Sequence, residues 1–253
     1  LNNYNSIQFG NPDLQNALSN NLSLLYSSFN LFNYTNVFVR AAYSNNIDQI
    51  RSLTNFENVI RTGTFFNSPF ADESFSSFGR VERTFGKIRA SLRANFNYSK
   101  SNQFIEDTRS INESFSQSYT PELRTNFKDL PNLRLRYGYS ITNNNQGDRK
   151  TKFITNSPSV VLDAYIWNSV TFKTDFTYTR QSQDEGASES FKTWNAFLAY
   201  RKDRDSKWEY EINATNLLDI DSRVSNGTST VSVFSSETFI QPRFLTFRVR
   251  YEL

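Results

Sequence analysis

The stretch VTFKTDFTYT at residues 170–179 alternates in polarity. Val170, Phe172, Phe176 and Tyr178 share one parity, while Thr171, Lys173, Asp175, Thr177 and Thr179 share the other. Successive side chains of a strand point to opposite faces, so these residues predict a long β-strand with one apolar and one charged face. The pattern recurs along the chain. Leu22, Leu24 and Tyr26 mark a first strand, and Val37, Val39, Ala41 and Tyr43 a second. A weaker third covers Phe75 to Phe85, and a fourth sets Ile88, Ala90, Leu92, Ala94, Phe96 and Tyr98 against Arg89 and Arg93. Phe115, Tyr119 and Leu123 give a fifth; Leu133, Leu135, Tyr137, Tyr139 and Ile141, opposed by Arg134 and Arg136, a sixth. Val160, Leu162, Ala164 and Ile166 form the seventh, and residues 170–179 the eighth. Trp194 to Tyr200, Trp208 to Ala214 and Phe247 to Leu253 complete a set of eleven. No comparable stretch has helical period, so the expected class is all-β.

Alternation alone also suits a soluble β-sandwich with its apolar faces turned inward. Three features favour a transmembrane barrel instead. The connections read as alternately short and long, with NLFN (30–33), FGK (85–87), DLPN (129–132), WNS (167–169) and KDRDSK (202–207) at one end. The others, near 46–69, 101–112, 143–150, 181–190 and 219–238, read as long loops at the opposite end, the asymmetry of outer-membrane barrels. The strands also read as long enough to cross a bilayer core at a tilt, which takes about 9–11 residues. Tyr43, Tyr98, Tyr139 and Tyr178 recur on the apolar parity at the long-loop end, where an amphipathic ring suits lipid headgroups. Phe85, Phe127, Trp167 and Trp208 lie near the short-turn end. In this reading Phe172, Phe176 and Tyr178 face lipid, and Lys173 and Asp175 face a lumen.

Composition removes several functions. The chain has no His and no Cys, which excludes Ser-His nucleophilic catalysis, histidine acid–base chemistry, disulfides and the common zinc sites. No enzymatic role, catalytic residue or cofactor is expected. A net charge of +3 without a basic cluster gives no nucleic-acid footprint. A mean hydropathy of −0.61 does not argue against a barrel, because lumen faces and outer loops are polar.

Three motifs carry a resemblance. FGNPDLQ (9–15), NATNLLD (213–219) and IQPRFLTFRVRYEL (240–253) stand in the order and spacing of a mid-barrel loop, a penultimate strand leaving the membrane and a closing strand. The chain thereby resembles the C-terminal half of TonB-dependent outer-membrane transporters, in the β-barrel family that often carries a carboxypeptidase-regulatory-like N-terminal domain. The resemblance implies an antiparallel up-and-down transmembrane barrel in the Gram-negative outer membrane, with about eleven strands forming half of about 22. It implies a loop remnant at 1–19 and barrel wall over 20–253. Its implied partners are the lipid bilayer, the remaining strands and plug from the same gene product or a companion chain, TonB and a surface lipoprotein. Phe247, Val249, Tyr251 and Leu253 would form the C-terminal assembly signal, although the family usually ends in an aromatic.

Candidate site residues follow from parity. Glu209 and Glu211 face Arg248 and Arg250 across neighbouring strands, a lumen ladder that either neutralises the wall or guides substrate and plug. Arg89, Arg93, Arg134, Arg136 and Lys173 form a cationic wall that either sits solvated, meets a plug or draws an anionic solute. Phe56, Phe65, Phe66 and Phe70 would pack loop against loop or stack on a ligand. Asp219 and Asp221 fall short of a calcium set. Pro121, Pro158 and Pro242 each remove a ladder donor and predict bulges or strand starts. The expected function is TonB-dependent import of a solute; the alternative is a structural barrel subunit of a surface or secretion complex.

Overall fold

The computed structural model describes residues 6–57, 60–105, 108–128, 131–147, 149–184, 188–203, 205–228 and 233–252. Its strands are β1 (Ser6–Gln8), β2 (Leu18–Asn30), β3 (Thr35–Ile47), β4 (Ile50–Glu57), β5 (Ile60–Asn67), β6 (Asp72–Phe85), β7 (Ile88–Ile105) and β8 (Thr108–Thr125). There follow β9 (Asn132–Gln146), β10 (Arg149–Ile166), β11 (Val170–Gln183), β12 (Glu189–Arg201), β13 (Trp208–Thr215), β14 (Ser222–Thr228), β15 (Val233–Phe239) and β16 (Phe244–Tyr251). Eleven of them, β2, β3, β6 to β13 and β16, pair antiparallel in that order. The all-β class and the eleven-strand antiparallel sheet expected from alternation are both present. Among the described residues the sheet is open: β2 pairs only with β3, and β16 only with β13.

Register keeps the two faces separate along the whole sheet. A one-residue slip would turn a strand over, and none occurs. Leu22 stands opposite Tyr43, Tyr43 opposite Phe75, Phe75 opposite Tyr98 and Tyr98 opposite Phe115. Far along the sheet, Val170 meets Tyr200, Tyr200 meets Tyr210 and Tyr210 meets Val249. An apolar band therefore runs along one face from end to end, and most of the charges and short polar residues lie on the other. Among the described residues no second layer covers the apolar face. Phe153, Ala164 and Ala199 are the buried hydrophobic residues among those described, whereas Leu198, Phe247 and Val249 are exposed. The two-layer sandwich is accordingly not the architecture.

Two expectations need correction. Residues 101–105, 108–112, 143–146 and 149–150, expected as loop, are strand, so β7, β8 and β10 each reach 18 residues. Polar side chains on both faces disguise these extensions, which cross-strand pairing stabilises: Ser114 Oγ donates to Asn144 Oδ1 at 2.7 Å, and Lys100 stands opposite Glu113. The ends thus differ in how far strands project more than in connection length. Second, Pro121 and Pro158 cause no bulge. β8–β9 pairing drops out between Tyr119–Tyr139 and Glu122–Arg136 and resumes in the same register, and β10–β11 pairing does likewise around Pro158. Each proline remains paired to the strand on its other side, which holds the register. Pro242 lies just before β16, as a strand start.

Two segments decorate the long-loop end. β4 and β5 form a hairpin between β3 and β6, and β1 joins it parallel to β5. The chain from 9 to 17 is tied there too, because Asn11 Nδ2 donates to the Phe65 carbonyl and Asn67 exchanges hydrogen bonds with the Gln15 backbone. The β14–β15 hairpin stands between β13 and β16.

Candidate functional site

The polar face gathers its densest ion pairs where β12, β13 and β16 lie side by side. Register sets Glu209 opposite Arg250 and Glu211 opposite Arg248. Arg248 and Arg250 reach Glu211 at 3.0 and 3.1 Å, and Arg250 reaches Glu209 at 3.8 Å. Glu211 is only 5% exposed beneath the two guanidinium groups. The four residues singled out by parity therefore lie together on the polar face. Sequence reading missed two more: Arg201, at the end of β12, contacts Glu209 at 3.8 Å and pairs with Glu252. Arg201 stands opposite Glu209 across the β12–β13 pair, so the same parity rule would have found it.

The cationic wall is less cationic than its residue list. Arg89 is 3.5 Å from Glu82, Lys173 is 3.7 Å from Asp163, and Arg136 faces Glu122 in register. Arg93 faces Arg80, whose own guanidinium pairs with Glu82. The most basic point involves a residue not anticipated, Arg124. It lies opposite Arg89 on one side and Arg134 on the other. Like charges directly opposed are unfavourable, and Arg134 Nε is buried without a hydrogen-bond partner.

On the apolar face, the four tyrosines do not form one row. Tyr43 and Tyr98 share a row that continues through Phe115 to Asn143; Tyr139 sits inward of Asn143, and Tyr178 lies opposite Lys192. They descend across the sheet as a staircase. Level with them or outside them runs a charged belt of Glu73, Lys100, Glu113, Lys152, Arg180 and Lys192. Inward of this belt, among the described residues, Arg83 is the one charged residue on the apolar face of the eleven strands. At the short-turn end Phe85, Trp167 and Trp208 are exposed, and Trp208 packs on Tyr251 with centroids 4.8 Å apart. Phe127 is half-buried in its turn. Phe247, Val249 and Tyr251 lie on the apolar face opposite Ile212, Tyr210 and Trp208; Leu253 lies outside the described residues.

At the long-loop end, Asn102 is 1% exposed and binds the Ala71 carbonyl and Asp72 Oδ1, while its own oxygen accepts from Arg109 Nε at 2.9 Å. Arg51 of β4 pairs with Asp72. Phe66 meets Phe104 edge-on at 4.9 Å, and Arg109 lies 3.4 Å over the Phe70 ring. Phe66 and Phe70 thus pack the hairpin against β7 and β8. Phe65 lends its carbonyl to Asn11, and the Phe56 side chain lies outside the described residues.

NATNLLD closes on Asn216. Its Nδ2 donates to the Ile220 and Gln241 carbonyls at 2.9 and 3.0 Å, and its Oδ1 accepts from Ile220 N at 3.0 Å. Its φ of 50° is a left-handed conformation that Asn tolerates. Asp219 faces Arg243, accepting from its backbone N–H at 2.9 Å and from Nη2 at 3.1 Å. Those bonds, the backbone one foremost, hold the Asp219 carboxyl below the usual carboxylate range. With Asp219 committed to Arg243, the Asp219–Asp221 pair does not form a calcium set. Beside this turn, Arg223 of β14, Phe191, Thr179 and Glu189 line a cleft of about 280 Å³ over the polar face.

Comparison with known proteins adds no relative: no family model, curated protein or solved structure matches the chain.

Proposed function

We propose that the chain is the C-terminal wall of a transmembrane β-barrel in a Gram-negative outer membrane, and that the barrel imports a solute in a TonB-dependent manner. The observation that carries the membrane reading is the apolar face. It is continuous over eleven strands, uncovered, and almost free of charge inward of a belt of Glu, Lys and Arg. In water such a face would be a large exposed apolar patch; against acyl chains it is satisfied, and the belt then marks the headgroup level. The tyrosine staircase supports the same reading, because an interfacial ring crosses tilted strands obliquely. β2 and β16 each leave one edge unpaired. Unmet backbone groups cost several kcal/mol apiece in lipid, so further strands, from the same polypeptide or a companion, complete the wall.

Import is the reading of the polar face. Its paired charges suit an aqueous lumen around a plug, and the cleft at Arg223 and Phe191 suits solute capture at the outer mouth. The test exploits the absence of cysteine. Single cysteines at Phe176, Leu198 or Val249 should resist a water-soluble maleimide in intact membranes, whereas cysteines at Asp175, Asn195 or Arg248 should react. The reverse pattern would refute the membrane reading. Uptake that persists after collapse of the proton gradient would leave the wall and remove TonB coupling.

A further inference from the structure

Arg83 breaks the pattern of the apolar face, and its surroundings explain how that is tolerated. It is an exposed residue near the short-turn end of β6, with its guanidinium 4.8 Å from the Phe85 ring centroid. Its neighbours across the ladder are Thr35 and Ala90, so it has no acid beside it. Among the described residues, the acids of that face, Glu73 and Glu113, lie in the belt at the opposite end. From Arg83 an apolar groove of about 480 Å³ runs inward over Ala90, Leu92, Pro121 and Leu123. A second, of about 300 Å³, shares Pro121 and Leu123 and continues past Tyr137 to Pro158 and Val160. Small Ala90 and the two prolines create the depression, because larger side chains flank them.

We propose that this groove is a binding site for one anionic phospholipid of the short-turn leaflet. Its phosphate meets Arg83, and an acyl chain lies along Ala90, Leu92 and Pro121. The inference rests on the membrane reading above. An unpaired guanidinium on a lipid-facing surface needs an anion, and in that leaflet the headgroup phosphate is the anion at hand. The adjacent depression gives the same molecule a place for its chain, so headgroup charge and chain shape select together.

The test places the protein, purified with its complete polypeptide, in phosphatidylcholine nanodiscs containing spin-labelled phosphatidylglycerol or spin-labelled phosphatidylcholine. The immobilised fraction of each label is then read by electron paramagnetic resonance. One basic residue at the surface predicts roughly fivefold preference for phosphatidylglycerol. Arg83→Gln should remove the preference and Arg83→Lys should keep most of it. Ala90→Leu, which fills the groove, should lower the immobilised fraction of both lipids. Equal retention of the two labels by the wild type, or an unchanged preference in Arg83→Gln, overturns this site while leaving the barrel intact. Failure to enter nanodiscs at all overturns the membrane reading and this site with it.

Discussion

Asn216 is the position where a single atom change should be most costly. The residue is 8% exposed, and its side chain makes three hydrogen bonds that tie the end of β13 to Ile220 and Gln241. Each such bond contributes a net of about 0.5–1.5 kcal/mol, so Asn216→Gly should cost about 2–4 kcal/mol. Asn216→Ala loses the same bonds and must also hold a β-carbon at φ 50°, adding about 1–2 kcal/mol, offset in part by the lower unfolded-state entropy of Ala. The alanine variant should therefore be the less stable of the two. Asn216→Asp keeps the acceptor but aims a carboxylate at two carbonyl oxygens, and should be no better than Gly. Equilibrium urea unfolding in a fixed detergent, followed by tryptophan fluorescence, suits the measurement because the Trp194 backbone carbonyl accepts the Leu217 N–H at 2.8 Å, next to Asn216. A glycine variant within about 0.5 kcal/mol of wild type, below the smallest expected loss, or a fully stable Asp variant, would refute the staple.

In the ladder, Glu211→Gln should destabilise by about 1–2 kcal/mol, and a double-mutant cycle with Arg248→Met should return a coupling near 1 kcal/mol that shrinks in high salt; zero coupling at low salt would make the pair incidental. Asp219 has a lowered folded pKa, so its contribution is complete above the unfolded value and is lost as pH falls through the folded one. Protease nicking in 216–243 should consequently rise on acidification, and Asp219→Asn should abolish that dependence. Leu198→Arg, on the apolar face, should cost about 2–4 kcal/mol if it sits near a bilayer midplane, read as loss of membrane-inserted protein. Normal insertion of that variant would contradict the lipid-facing assignment. Asn102→Ala should expose the β4–β5 hairpin to protease while leaving the sheet intact, since its bonds run to Asp72, Ala71 and Arg109.

The eleven main strands, their order and their faces were legible because period-two polarity is a local signal: Phe172 and Lys173 declare their faces without reference to any partner. The short strands β1, β4, β5, β14 and β15 fall in segments expected as loops. Strand ends were not legible. Ser101 and Asn102, or Asn143 to Asn145, read as loop because both faces are polar, and only pairing with β8, and for the second stretch with β10 as well, makes them strand. The ladder at Glu209, Glu211, Arg248 and Arg250 was visible since its members occupy adjacent strands at readable parity. Arg201 and Glu252 escaped notice because they sit at strand termini, and Arg83 because the third strand alternates weakly. Asn216 carried a usable signal, the tolerance of Asn for left-handed backbone, inside a motif noticed for its order alone.

Strands that continue beyond the belt have a mechanical consequence. β7, β8 and β10 carry their hydrogen-bond ladders out to residues 105, 108 and 149, so the rim is stiff before anything touches it. A visitor arriving there forfeits little freedom in ordering the host, and discrimination at the rim becomes a matter of shape fit. At that end the chain leaving β13 and the chain entering β16 are fastened to each other by Asn216 and by the Asp219–Arg243 pair.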